Sequence, residues 1–462
     1  MREGTELDYL ASLAECGLLW PDCGSGVTVW STLNVQLLAS MTIRVFLPLF
    51  ALFLAVLPAC GESADADAAS GQSSAAGATA SDRADAGAAG RNSGTGSAGT
   101  AFAVVGGASA GYNGVTSGGA SNGPGTTPPA TWNSAKSSTL SEAQLQAEYL
   151  AWKMAHVEAC ANGSSVVVKD GAVVSEGIAY GMLLSVAMAD QPLFDGLWKF
   201  YQDHLDKNGL MNWRTAKCEA PGNNNSNAAT DADLDATMAL VQAAARWPAA
   251  TSGYLAKAEA LAAKIIQFES DMCNGRRILR PGDAFGGCSD PGNPRINPSY
   301  FSPGYYKVFA HYFTSQAGTW SALGDATYQL YAIYQARMDN LVPDWSGPDG
   351  SDDSGSQYWY DACRTPWRVA VDYAWTGDTR AKTFMANVSS WVDAHGGLPN
   401  AAQQPNSAFI GSFALAGGYD QGKFDGYMSG WLGAQLDDAP YYQGTLRVLY
   451  LLVATGRFAS TL

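Results

Sequence analysis

From about residue 131 to the end of the chain, apolar residues recur at helical spacing, and loops rich in Gly, Pro, Asn and Asp separate the segments. Ser141-Glu-Ala-Gln144 has the form of a capping box and opens a helix expected to run to about Cys160. The same period returns near 177–190, 193–205, 231–247, 253–270, 303–315, 321–340, 362–376, 379–395, 404–415, 422–434 and 441–456. Twelve such helices predict six helical hairpins closed into a ring, an all-α (α/α)6 barrel over residues 131–462. Alternating patterns are few. Ser164 to Val168 and Ala172 to Val174 predict one hairpin turning at Lys169-Asp-Gly171.

Upstream of the barrel the texture is different. Residues 61–130 are dominated by Gly, Ala, Ser and Thr, a composition that cannot bury enough apolar surface to offset its ordering entropy, so a disordered linker is expected. Two glycine patterns inside it, Gly94-Thr-Gly-Ser-Ala-Gly99 and Gly107-Ala-Ser-Ala-Gly111, lack the helix that a nucleotide loop or a nucleophile elbow requires. Residues 41–60 combine Arg44, an apolar run and Leu57-Pro-Ala-Cys60, the layout of a bacterial lipoprotein signal with Cys60 as the lipidated residue. The expected location is therefore outside the cytoplasm, anchored at the outer membrane or cell surface, or secreted. The run is short for a membrane span, so membrane attachment is expected only through the lipid at Cys60. Residues 1–40 read as neither signal nor domain, and translation is expected to begin at Met41.

Net charge is -15, which disfavours nucleic acid and polyanionic polysaccharides as partners and permits neutral ones. The aromatic fraction is 11%, with 14 Trp and 21 Tyr. Most of these serve a core, but some could line a groove for sugar rings, which stack on flat aromatic faces. Of the cysteines downstream of Cys60, Cys273 and Cys288 bracket a Gly/Pro/Asp-rich loop and predict a disulfide. The odd count of Cys160, Cys218, Cys273, Cys288 and Cys363 leaves at least one thiol over. Cysteine and histidine spacings support no metal site, and no cofactor is implied.

The chemistry rests on carboxylates. Glu176 lies in Val174-Ser-Glu-Gly-Ile-Ala-Tyr-Gly-Met182, Asp231 in Ala229-Thr-Asp-Ala-Asp-Leu-Asp235, and Asp361 in Tyr360-Asp-Ala-Cys-Arg-Thr-Pro-Trp-Arg368. Each sits at or just before a predicted helix start, where an acidic residue can also serve merely as a cap. A calcium loop at Asp231 is excluded, because Ala236 and Gln242 replace the Gly and Glu that such a loop needs. Three helix starts in a ring of alternating helices can converge on one face, and an acid and a base held apart on a stiff scaffold are what glycosidic cleavage requires.

Taken with Gly209-Leu-Met-Asn-Trp213 and Pro298-Ser-Tyr-Phe-Ser-Pro303, these motifs, in order over about 140–462, resemble the family 8 glycoside hydrolases. The resemblance implies an (α/α)6 barrel that cleaves internal β-1,4 bonds of a neutral polysaccharide with inversion; the chain is expected to act as a monomer. It implies Glu176 as general acid, Asp361 as general base and Asp231 as the holder of the distorted sugar, with Asp233 beside it. It further implies that Tyr360 positions water and that Arg364 and Arg368 support the base. Trp213, Tyr305, Tyr306, Trp359 and Tyr360 are the candidate sugar contacts. A helix start lowers a carboxylate pKa, which suits Asp361 and opposes Glu176; desolvation or a neighbouring charge, with Asp231 the natural source, is expected to overcome it. Alternatives are a non-catalytic glycan-binding protein on the same scaffold, an exo-acting xylanase or chitosanase of the family, and a polysaccharide lyase. The lack of a His-centred motif and the acidic surface argue against the lyase.

Overall fold

The computed structural model describes residues 131–220, 227–250, 252–354 and 356–462. The extension, the signal with Cys60, and the linker expected over 61–130 lie outside the described residues.

Among the described residues there are twelve α-helices. They are α1 (Glu142–His156), α2 (Ser175–Ala187), α3 (Gln191–Asp203), α4 (Thr230–Arg246), α5 (Tyr254–Phe268), α6 (Pro303–Tyr312), α7 (Ala317–Arg337), α8 (Thr365–Thr376), α9 (Thr379–Ala394), α10 (Ser407–Ala416), α11 (Gln421–Leu432) and α12 (Tyr441–Thr455). Odd- and even-numbered helices differ in burial. In α1 only Leu145, Tyr149 and Trp152 are buried, at i, i+4 and i+7, the stripe of a helix with one face in water. In α10 every residue is buried, and in α4 every residue from Thr230 to Ala243. The even helices form the inner wall: α2 packs on α4, α6 on α8, α8 on α10, α10 on α12, and α12 closes on α2. Each also pairs with its outer partner, as α2 does with α3, α4 with α5, and α10 with α11. This is the expected (α/α)6 architecture.

The first helix is shorter than expected. Its chain turns extended at Val157, and Val157–Ala159 (β1) pairs antiparallel with Ser165–Val167 (β2). The predicted turn exists: Lys169 and Ala172 exchange backbone hydrogen bonds, with Asp170 and Gly171 both at positive φ, the type I′ geometry. The strands beside it separate, however. Ala172–Val174 (β3) pairs instead with Arg214–Ala216 (β4). Local alternation identified the strands but not the partner, which lies about forty residues away in sequence and is set by tertiary packing. Ser270–Cys273 (β5) and Arg276–Leu279 (β6) form a third ribbon. Disulfides join Cys273 to Cys288, as expected, and Cys160 to Cys218; Cys363 is a buried free thiol.

Candidate active site

Strand β3 runs without a break into α2, and the Ser175 N–H donates to the Trp213 carbonyl at 2.9 Å, pinning the helix start to the segment before β4. All of α2 is buried except Glu176, whose side chain keeps 18% of its surface. In a helix enclosed all round, the one residue left with an outlet is a carboxylate. Two glycines allow this packing. A Cβ on Gly177 would stand 3.0 Å from the Tyr441 hydroxyl oxygen, and one on Gly181 would stand 2.8 Å from Leu197 Cδ1.

Asp231 lies in the first turn of α4, and Asp361 precedes the 3₁₀ turn Ala362–Arg364 that leads into α8. One side chain joins all three carboxylates. Arg364, 2% exposed, donates from Nη1 to Glu176 Oε2 at 2.8 Å and to Asp231 Oδ2 at 2.9 Å. From Nη2 it donates to Asp361 Oδ1 at 2.6 Å and to Ser299 Oγ at 2.9 Å, and its Nε reaches the Asp361 carbonyl at 3.4 Å. All five guanidinium N–H donors are thereby used. The Tyr300 ring faces the guanidinium at 5.2 Å. Asp231 is 3% exposed, whereas the Asp361 side chain keeps 33%.

Tyr441, from α12, donates to Glu176 Oε1 at 3.0 Å. Burial raises the proton affinity of Glu176 above the ordinary glutamate value; Arg364 opposes it, and the charge of Asp231 adds to it. Desolvation thus outweighs the expected contribution of Asp231. Asp361 departs from expectation. Burial raises its carboxyl as well, against Arg364 and with help from Asp231, so the helix start does not hold it low.

Four candidate residues are placed away from this cluster. On α4, Asp231 and Asp235 are four residues apart and share a face, while Asp233 falls on the opposite side. Asp233 is fully buried; it accepts from the Tyr201 hydroxyl and, at 3.3 Å, from the Met211 N–H. Arg368 makes a bidentate pair with Asp235 at 2.5 and 2.7 Å rather than supporting Asp361. Tyr305 stacks on Trp375 and Tyr306 on Trp320, each 1% exposed, so neither presents a face to a sugar. Trp213 is 38% exposed, and Trp359 and Tyr360 are half-buried, packed on Phe409. The Tyr360 hydroxyl accepts from Asn406 at 3.3 Å, and its carbonyl accepts from Tyr442 at 2.5 Å.

Sequence reasoning missed Ser299, Tyr300 and Tyr441. The first two belong to the quoted Pro298–Pro303 motif, so their place near the site was legible there; Tyr441 carried no signal beyond its position at a helix start. Asn297 and Trp345 also approach Asp361 closely enough to lower its proton affinity.

The profile of the family "Glycosyl hydrolases family 8" matches residues 130–456. "Endoglucanase 2" of Ruminiclostridium josui is 34% identical over 336 residues, 68% of this chain and 71% of that protein. "Endoglucanase A" of Acetivibrio thermocellus is 34% identical over 353 residues, 69% of this chain and 70% of that protein. Among solved structures, the fold is similar to that of a β-1,3-1,4-glucanase from Paenibacillus sp. X4, with a TM-score of 0.61 at 24% identity, over 71% of this chain and 97% of that one.

Proposed function

The chain belongs to glycosyl hydrolase family 8 and is a glycoside hydrolase; from this premise we propose that it cleaves internal β-1,4 bonds of a neutral β-glucan or xylan with inversion. The observation that carries this reading is the single guanidinium of Arg364 joining Glu176, Asp231 and Asp361, drawn from the starts of separate elements. The endoglucanase names of the relatives support a β-glucan as substrate.

In this reading Glu176 gives its proton to the glycosidic oxygen as the C–O bond breaks. Asp361 takes a proton from a water that attacks the anomeric carbon from the opposite face. The leaving sugar departs as a free hydroxyl; for the next turnover Asp361 releases its gained proton to solvent and Glu176 takes one up. Glu176 Oε2 and Asp361 Oδ1 accept from the two terminal nitrogens of one guanidinium, at 2.8 and 2.6 Å; inversion needs a spacing of about 6.5 Å or more between the two carboxyl groups to admit its water. Desolvation of Glu176 suits an acid that must hold its proton at working pH. Asp231, buried on the guanidinium between the other two, holds the sugar at the cleavage point. Trp213, Trp359 and Tyr360 supply sugar-stacking surface.

Product anomers followed by NMR, with reducing-sugar release from cellulose, mixed-linkage glucan and xylan, test the reading. An initial α-anomer from a β-linked chain is expected; an initial β-anomer, or no release with intact binding, overturns it. The same proposal includes lipid attachment at Cys60, which predicts a mass increase by acylation that Cys60→Ala abolishes.

A further inference from the structure

Asp361 is carried on a short stretch between an irregular loop and a 3₁₀ turn, not on a helix or strand. Such a position is not rigid by itself, yet a base must be held to a fraction of an ångström. The side chain that fixes it comes from the loop between α7 and α8. Asp344 Oδ1 accepts the N–H of Trp359 at 3.0 Å and the N–H of Ala362 at 2.7 Å, the backbone donors on either side of Tyr360-Asp361.

Asp344 is itself anchored. Its N–H donates to the Gln357 carbonyl at 2.8 Å, the next N–H, from Trp345, donates to Ser356 Oγ at 2.8 Å, and Ser346 pairs in both directions with Ile296. The loop thus forms a brace between the segment around 296–300, which holds Asn297, Ser299 and Tyr300, and the segment that carries Asp361. The Trp345 ring lies under the Arg295 guanidinium at 4.3 Å, and Arg295 is paired with Asp353 at 2.5 Å.

We propose that Asp344 is a positioning residue for Asp361, which uses one carboxyl oxygen to clamp the backbone on both sides of it. This rests on the reading of Asp361 as general base. Asp344 acts through the backbone rather than through Arg364, whose salt-bridge partners among the described residues are Glu176, Asp231 and Asp361. Burial and the negative charge of Asp361 push the Asp344 carboxyl up to about 7, while Arg364 and the two backbone donors pull the other way. Protonation of Asp344 would not cost the clamp, since the accepting oxygen needs only a lone pair.

The test compares Asp344→Ala with Asp344→Asn in the full chain, measuring kcat and KM on a soluble β-glucan, with circular dichroism to confirm folding. The alanine variant is expected to lose about tenfold or more in kcat with KM within about twofold, the mark of a misplaced group rather than of lost substrate binding. The asparagine variant keeps an accepting amide oxygen and is expected to recover kcat to within about threefold of the wild type. Wild-type kcat in Asp344→Ala, a loss carried by KM, or an asparagine variant as impaired as alanine would each overturn the clamp. If Asp344→Ala does not fold, Asp344→Asn decides alone, and a kcat about tenfold below wild type overturns the proposal. Asp361→Asn separates the two levels of inference: turnover surviving in that variant sinks the assignment of the base, whereas a failed Asp344 series beside an inactive Asp361→Asn sinks only the clamp.

Discussion

Tyr441 donates its hydroxyl hydrogen to Glu176 Oε1 at 3.0 Å, across the seam where α12 meets α2. A donor on that oxygen stabilises the carboxylate and so lowers the proton affinity of Glu176, against the larger effect of burial. Tyr441→Phe removes the donor, and Glu176 then holds its proton to higher pH. The alkaline limb of kcat/KM, which reports loss of the proton from the acid, is expected to move upward. A limb that stays in place or moves down separates Tyr441 from the acid. Gly177→Ala, whose Cβ would press on the same hydroxyl, is expected to shift the limb in the same direction.

Asp231→Asn deletes a negative charge that raises the proton affinity of both Glu176 and Asp361. Each carboxyl then gives up its proton at lower pH. The acid limb, set by ionisation of the base, and the alkaline limb, set by ionisation of the acid, are both expected to move down. Turnover is expected to fall as well if Asp231 holds the sugar. A pH–rate profile with only one displaced limb would show that Asp231 acts on one partner alone.

Arg368 and Asp235 lie behind the site, 2% and 0% exposed, with Trp367 at 4.3 Å from the guanidinium. Arg368→Met strands a buried carboxylate, and a loss of about 3–5 kcal/mol in folding stability is expected. The double variant Arg368→Met/Asp235→Leu removes both charges and is expected to recover much of it. Denaturant titration measures both; a double variant no better than the single would mean that the pair is a net source of stability.

Asp233 faces Glu269, also 0% exposed, and among the described residues neither has a salt-bridge partner. Burial raises Asp233 to about 7, and burial followed by the charge of Asp233 raises Glu269 well above the ordinary value. Unfolded carboxyls titrate near 4. The folded state therefore binds more protons between about 4 and 7, and its stability should fall as pH rises through that window. Unfolding free energy measured from pH 4.5 to 7.5 is expected to decline, and Glu269→Gln to flatten the decline. A flat wild-type curve would mean that the two groups share no proton.

The helical period made the ring legible because each outer helix carries an apolar stripe, whereas the inner ones are buried on most sides, with polar residues such as Asp231, Asp233 and Asp235 of α4 kept for buried contacts. The three carboxylates were legible through the motifs around them. Asp233 was misread because neighbours in sequence are not neighbours on a helix: two residues from Asp231 means the opposite side. Tyr305 and Tyr306 were misread for a related reason. An aromatic beside a motif looks the same whether it faces a cleft or a core, and only tertiary packing decides. Tyr441 and Asp344 reach the site over hundreds of residues or through a loop with no periodicity, and nothing local marks them.

The closure of α12 on α2 has a consequence for biogenesis. Glu176 is made 265 residues before its partner Tyr441, so the ring cannot be sealed, nor the proton donor completed, until the helices between them have left the ribosome. Until then the inner faces of α2 and α4 have no lid, and the nascent chain depends on staying unaggregated rather than on folding piece by piece.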